Sequence, residues 1–265
     1  MKRSVSAILL VIILFICSLP VSAAPNHTPD REVQSGSVYL YNMNTQKMVY
    51  QKNAEKQLYP ASLVKIMTCI LALENTADLD REIVTYPAYV QDYLFNYQRV
   101  HGANISLAGM FAGEQMPMRE LLYGLMLRSG NEVAMIIADH IAGGQAEFVE
   151  MMNARARRLG ALNTNFTNAH GLFDPAQVTT AKDMAIITEY AMSLPGFMDI
   201  VSATSYVAGP TNKNERLEWS TTNLMMMPNS RYYYPHLQGI KTGTIPESGR
   251  CFVSWPPGTV SHICL

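Results

Sequence analysis

The chain has 265 residues, with 20 basic and 21 acidic side chains and 48% hydrophobic residues. A formal net charge of −1 argues against a nucleic-acid partner and against an acidic tail. The length suffices for one large domain or one domain with a substantial insertion, and no internal repeat or low-complexity stretch interrupts it.

Residues 1–23 read as a secretory signal. Lys2 and Arg3 give a basic start, 7–16 is a continuous apolar run, and Val21-Ser22-Ala23 offers a small-residue cleavage site. The run is short against the roughly 20 residues of a membrane span, so cleavage is predicted rather than anchoring. Cys17 follows Leu14-Phe15-Ile16, which lacks the small residues that precede a lipoprotein cysteine. The chain is therefore expected to be exported to the cell envelope, on the extracytoplasmic or periplasmic side. Cys69, Cys251 and Cys264 remain after cleavage, and an odd count argues against a full disulfide framework. Cys251 and Cys264 flank a Pro-Pro-Gly-Thr turn, which leaves a disulfide and two buried free thiols both open.

Residues 36–53 predict a β-hairpin, with two β-rich runs around a turn-like centre at 42–46. Residues 61–74 have helical length and are apolar nearly all round, so a buried helix is predicted. Residues 76–115 mix aromatics and glycines and predict loops with short helices. Residues 116–144 read as helix, break, helix, with Pro117 at the first turn, the break at Ser129-Gly130 and a stop at Gly143-Gly144. An amphipathic helix is predicted over 145–160, closed by Gly160. Another over 179–196 starts on a Thr180/Asp183 capping box and ends at Pro195-Gly196. Three short strands are predicted in the last thirty residues, within LQGIKTGT, RCFVSW and SHICL. Strands at both chain ends with helices between predict an α+β fold, its antiparallel sheet built from both ends and its middle mostly helical.

Ser62 and Lys65 stand at i and i+3 on the predicted buried helix, so they share a face. Ser62 lies near the helix start, where backbone N–H groups are unpaired and negative charge is favoured. Burial lowers a lysine's pKa, and a lysine so depressed can take the proton of a serine hydroxyl and make it a nucleophile. Alone the pattern is weak, since Ser-x-x-Lys arises by chance about once in a chain this long. Two further patterns add weight. Ser129-Gly130-Asn131 sits at the break between two helices, and Lys241-Thr242-Gly243 sits on a candidate strand, with a glycine that permits close backbone approach.

In this order the three patterns resemble the motif set of β-lactamases and penicillin-binding proteins. More narrowly the chain resembles the low-molecular-mass D-alanyl-D-alanine carboxypeptidases, the peptidase S11 family. RELLYGLMLRSGNEVA, FVEMMNARARRLGALNTNFTNAHGL, TTAKDMA and GIKTGTIPESGRCFV all look like that family, and the resemblance runs from Val38 to the end of the chain.

The resemblance implies a β-lactamase/transpeptidase-like fold over 24–265. It implies Ser62 as the nucleophile that is acylated, Lys65 as its general base and Ser129 as a relay of a proton to the leaving group. Asn131 would hold the substrate backbone and Lys65. Lys241 would bind the substrate's terminal carboxylate beside Thr242 and Gly243, and the N–H groups of Ser62 and Thr244 would form the oxyanion hole. The implied substrate is the peptidoglycan stem peptide ending in D-Ala-D-Ala, and β-lactams would acylate the same serine. No cofactor or metal is expected, since no His-Glu-x-x-His or comparable cluster is present.

His170, in a family-like turn, and His140, on a helix, are expected to be structural, and the role of Asn223 stays open. The methionines are expected to fill the core. Gln177 stands where the family often has a histidine, which implies a weakened local hydrogen bond. Glu132 replaces a usual aspartate and keeps the charge. Family members commonly continue into a small β-rich domain and a membrane anchor, and neither is expected in a chain ending at Leu265. A β-lactamase of the same fold is an alternative that needs a glutamate to activate water. Glu114 and Glu120 fall in or near helical segments before Ser129 and are not convincingly placed for it. A non-catalytic binding remnant is the third reading.

Overall fold

The β-rich runs around 42–46 form the predicted hairpin. In this computed structural model, which describes residues 29–30, 32–256 and 261–264, strand β1 (Val38–Asn42) pairs antiparallel with β2 (Lys47–Lys52). The predicted signal at 1–23 lies outside the described residues.

A β3/β4 pair (Ile83–Thr85, Gln115–Pro117) and a β5/β6 pair (Ser205–Ala208, Leu217–Ser220) form two small antiparallel two-stranded sheets separate from the main one. The main sheet is completed by β7 (Gln238–Ile245), β8 (Gly249–Trp255) and β9 (Ser261–Cys264), in the order β2-β1-β9-β8-β7. Strand β9 joins the two chain ends: it pairs with β1 on one side and β8 on the other, both antiparallel. The α+β architecture expected from strands at both termini is therefore present. The register sets Cys264 opposite Phe252, one residue away from facing Cys251, and Cys251 is a free, buried thiol.

Seven α-helices follow in chain order among the described residues: α1 (Lys65–Asn75), α2 (Ala88–His101), α3 (Met118–Leu127), α4 (Asn131–Ala142), α5 (Gln145–Leu159), α6 (Ala181–Ser193) and α7 (Phe197–Val201). Helix α1 is central. It packs against α3, α4, α5 and α6, and every residue from Lys65 to Ala72 is buried. The all-round apolar sequence fits that position. Helix α6 rests on β1 and β9 and joins the helical bundle to the sheet. Half of its predicted capping box is formed: the Asp183 N–H donates to the Thr180 hydroxyl at 3.0 Å, while the Asp183 carboxylate accepts from Asn163 N and the Thr164 hydroxyl rather than from Thr180 N. Several methionines, among them Met67, Met116, Met118 and Met152, are fully buried core filling. None of the described helices is long and apolar enough to cross a membrane.

Two expectations are corrected. The helix predicted over 61–74 is not one α-helix: Ala61–Val64 form a tighter 3-10 turn, and the α-helix begins at Lys65. The unassigned region 76–115 contains the 14-residue α2, capped by Gly102. Only Val90 and Leu94 of α2 are buried, so it lacks the aliphatic stripe by which a helix is read in sequence.

Candidate active site

The 3-10 turn explains how Ser62 meets Lys65. Side chains at i and i+3 eclipse one another in this geometry, and Lys65 Nζ lies 3.1 Å from Ser62 Oγ. The turn is set by its neighbours. Ala61 holds an unusual φ of +48°, between Gly171 on one side and Gly243 on the other. A Cβ at Gly243 would lie 3.1 Å from Ser62 N and 3.2 Å from Pro60 O. The glycine of Lys-Thr-Gly thus lets β7 lie closely against the serine turn, where a larger residue would push backbone atoms apart by a few tenths of an ångström.

Lys65 is fully buried, and its ammonium group has two further partners: Asn131 Oδ1 at 2.6 Å and the His170 carbonyl. Burial drives its pKa well below the usual lysine value, the nearby Lys241 charge lowers it further, and Glu132 opposes the shift. A neutral amine has two N–H donors and one lone pair. Asn131 Oδ1 and the His170 carbonyl accept only, so they take both donors. The lone pair is left for the Ser62 hydroxyl, which then donates to it.

Asn131 opens α4, and its own N–H donates to Ser106 O at 2.9 Å. Just ahead of it, Ser129 adopts a φ of +58°, a backbone state uncommon outside glycine that clusters at functional sites. The Ser129 hydroxyl is buried with no hydrogen-bond partner among the described residues. Such a group is costly unless a ligand satisfies it.

Lys241 is also buried. Its ammonium donates to the Thr242 carbonyl at 3.0 Å, and burial brings its pKa down to about 7. The Thr242 hydroxyl shares a 2.6 Å hydrogen bond with that of Thr222. Strand β7 is at the sheet edge, with only β8 beside it among the described strands. An edge strand can pair with an extended peptide through its free backbone groups. Thr244 is exposed on this strand, one residue beyond Gly243.

The family model for peptidase S11, D-alanyl-D-alanine carboxypeptidase, matches residues 22–257. The chain belongs to this family. It is 30% identical to the D-alanyl-D-alanine carboxypeptidase DacF of Bacillus subtilis, over 96% of the chain and 62% of that relative. It is 31% identical to the D-alanyl-D-alanine carboxypeptidase of Streptomyces sp. strain K15, over 81% of the chain and 74% of that relative. The crystal structure of the Streptomyces K15 DD-transpeptidase superposes with a TM-score of 0.77 at 28% identity, covering 89% of this chain and 92% of that one. The chain spans only about six tenths of the length of DacF, and likewise of DacD from Escherichia coli at 59%.

Within this S11 chain three supports were not legible as site residues. The first is the segment 168–172. Its His170 carbonyl meets Lys65, and its Ala169 carbonyl accepts from the Thr68 hydroxyl at 2.7 Å, so two side chains one turn apart on α1 grip consecutive carbonyls. The His170 ring is buried and held neutral, with its pKa lowered to about 3 by burial and then by Lys65, and its Nδ1 accepts from Leu172 N. The contribution of His170 is its backbone oxygen, as its family-like turn alone could hint.

The second is Gln177. Rather than weakening the local bonding, its Oε1 accepts from the N–H groups of Thr167 and Asn168 at 3.1 Å each, and its Nε2 donates to Asn168 Oδ1 and Leu172 O at 3.2 Å each. It braces the segment that presents the His170 carbonyl.

The third is Glu132. Its Oε1 accepts from Ala108 N and Gly109 N, which ties the 106–109 segment to the Ser-Gly-Asn turn. Its Oε2 has no partner among the described residues, and burial raises its pKa to about 6. Of the other residues, His140 pairs with Glu82 at 2.8 Å, as a structural histidine should. Asn223 anchors the start of β7 by donating to Gly239 O at 2.7 Å. Among the described residues no group of His, Cys, Asp and Glu is arranged to hold a metal ion.

Proposed function

We propose that the chain is a serine D-alanyl-D-alanine carboxypeptidase of the bacterial envelope, with 24–265 as its catalytic domain after loss of the 1–23 leader. One observation carries the reading: both donors of a neutral Lys65 are committed to acceptors, and its remaining contact is the Ser62 hydroxyl.

In this reading the stem peptide lies extended along the edge of β7. Lys241, as a cation, receives its terminal carboxylate beside Thr242. Ser62 gives its proton to Lys65 as Oγ attacks the penultimate carbonyl. The developing oxyanion meets the N–H groups of Ser62 and Thr244, donors typically worth about 3–4 kcal/mol each. Collapse of the tetrahedral adduct breaks the peptide bond. The Ser129 hydroxyl relays a proton to the departing amine, D-alanine leaves, and water hydrolyses the Ser62 ester. A β-lactam acylates the same oxygen, and its opened ring nitrogen takes the proton.

A β-lactamase reading needs a carboxylate free to activate water. Glu114 is committed to Phe111 N, Thr211 Oγ1 and Asn214 Nδ2, one Glu120 oxygen accepts from Gly209 N, and among the described residues neither carboxylate is hydrogen-bonded to Ser62, Lys65 or Ser129, so neither supports it. Labelling with a fluorescent penicillin tests the nucleophile: the parent should form a covalent adduct and Ser62→Ala none. Release of free D-alanine from a D-Ala-D-Ala peptide tests the reaction. Rapid penicillin hydrolysis without D-alanine release would overturn the assignment in favour of a β-lactamase.

A further inference from the structure

Helix α2 carries Tyr89, Tyr93, Tyr97 and His101 at four-residue intervals, so their rings share one face, with a rise of about 6 Å between successive rings. The ring centroids of Tyr93 and Tyr97 are 6.3 Å apart, and those of Tyr97 and His101 4.3 Å. This face looks onto segment 167–174. Two cavities of about 350 and 440 Å³ open between them, and they share Tyr93, Thr167, Asn168 and His170 as walls. They are two parts of one elongated groove with Tyr93 at the join.

The groove adjoins the serine site. The segment forming its far wall is the one that offers the His170 carbonyl to Lys65. The Tyr97 hydroxyl donates to Phe173 O at 3.3 Å, and the Phe173 ring meets Tyr59, three residues before Ser62, edge-on at 5.1 Å.

The lining selects a kind of ligand. Tyr93, Tyr97 and Phe173 line the groove together with the polar side chains of Asn96 and Asp174. Tyr93 is 44% exposed, and its hydroxyl makes no hydrogen bond among the described residues. The Asn96 carbonyl oxygen is engaged by Arg99, which leaves its amide N–H groups to donate. One Asp174 oxygen takes Ala176 N, which leaves the other to accept. An anion would be repelled by Asp174, and a purely apolar segment would bury these polar groups without partners. A sugar ring has an apolar C–H face to lie on an aromatic ring and a hydroxyl edge to pair with an amide donor and a carboxylate acceptor. Pockets of this kind, aromatic with a few placed polar groups, bind by that combination.

We propose that this groove binds a neutral saccharide chain, with Tyr93 and Tyr97 as stacking platforms. It seats the sugar strand of a glycopeptide substrate while the attached peptide reaches Ser62. The substrate half of this inference rests on the peptidase reading above, and saccharide binding itself does not.

The test uses N-acetylglucosamine oligomers of two and four rings, titrated by NMR into the full chain and its Tyr93→Ala, Tyr97→Ala and Tyr93→Phe variants. The parent should bind the tetramer, each alanine variant about tenfold more weakly, and Tyr93→Phe close to the parent. In parallel, kcat/KM is compared for a D-Ala-D-Ala peptide alone and the same peptide bearing an N-acetylated disaccharide. The parent should prefer the glycopeptide about tenfold, and Tyr93→Ala should lose the preference while turning over the free peptide and labelling with penicillin as the parent does. No saccharide binding by a parent that labels with penicillin would overturn the proposal. So would binding indifferent to both alanine variants, or a free peptide occupying the groove in place of the sugar. Saccharide binding with no D-alanine released from either peptide would strike the peptidase reading and uphold the groove's ligand.

Discussion

Gly171 and Ala61 meet backbone to backbone. A methyl group on Gly171 would lie 2.2 Å from the Ala61 carbonyl oxygen and 2.9 Å from Ser62 N, and Gly171 holds a φ of +86° that other residues rarely adopt. The neighbours in conflict are backbone atoms, which cannot swing aside. Gly171→Ala must therefore move the serine turn away from segment 168–172, and with it the Ser62–Lys65 contact. A shift of about 1 Å in a reacting group can cost on the order of a hundredfold in rate. Penicillin acylation of Gly171→Ala should fall by about that factor, with the urea midpoint also lowered. Labelling at the parent rate would show that this contact does not place Ser62.

In the proposed mechanism Lys65, as the base, and Lys241, as the carboxylate-binding cation, set opposite demands on pH. The base must be neutral, so acylation falls as acid protonates Lys65. The carboxylate-binding lysine must be charged, and its pKa of about 7 in the free chain makes binding of an anionic substrate fall as pH rises past that value. The kcat/KM profile should be bell-shaped. Lys241→Gln removes a charge that lowers the pKa of Lys65. The acid limb should then move to higher pH and the alkaline limb should disappear, on a lower maximum. A variant profile that keeps both limbs in place would detach Lys241 from this role.

Much of this arrangement is legible in the sequence, because side-chain patterns report it. The hairpin alternation at 36–53, the apolar run of α1 and the breaks at Ser129-Gly130 and Gly143-Gly144 each name an element that is present. Ser62, Lys65 and Asn131 are likewise side chains in short motifs, and the fold brings them within hydrogen-bonding distance. What escapes is of two kinds. Helix α2 presents aromatic rings rather than a buried aliphatic stripe, so its period is weak. The third partner of Lys65 is a backbone carbonyl, for which residue identity carries no signal. The 3-10 turn at Ser62 is similarly a product of tertiary contact with Gly171 and Gly243 rather than of local preference.

Burial of Lys241 also makes stability depend on pH. Its folded value of about 7 lies below the unfolded value of about 10.4. Between these the unfolded chain binds more protons, so stability rises with pH across that window, and the cost of the buried lysine is full below pH 7. Lys65 acts in the same direction. Lys241→Met should therefore stabilise the protein at neutral pH, by up to roughly 3 kcal/mol, while abolishing turnover. The gain in Tm over the parent should shrink as pH approaches about 10. A gain that is the same at every pH would assign it to packing instead.

Gln177 offers a test of the brace behind the site. It is buried, and its amide serves two N–H groups, one side-chain oxygen and one carbonyl in segment 167–172. Gln177→Ala strands those groups in the interior, where each unsatisfied one costs about 1–3 kcal/mol. Partial relaxation should leave a net loss of roughly 2–4 kcal/mol in urea unfolding. The same change loosens the carbonyl that holds a donor of Lys65, so acylation by penicillin should slow as well. Gln177→His restores one acceptor and one donor, and should recover part of both losses. Equal recovery by Gln177→Met, which fills the space without the hydrogen bonds, would mean that the volume of Gln177, not its hydrogen bonding, positions the His170 carbonyl against Lys65.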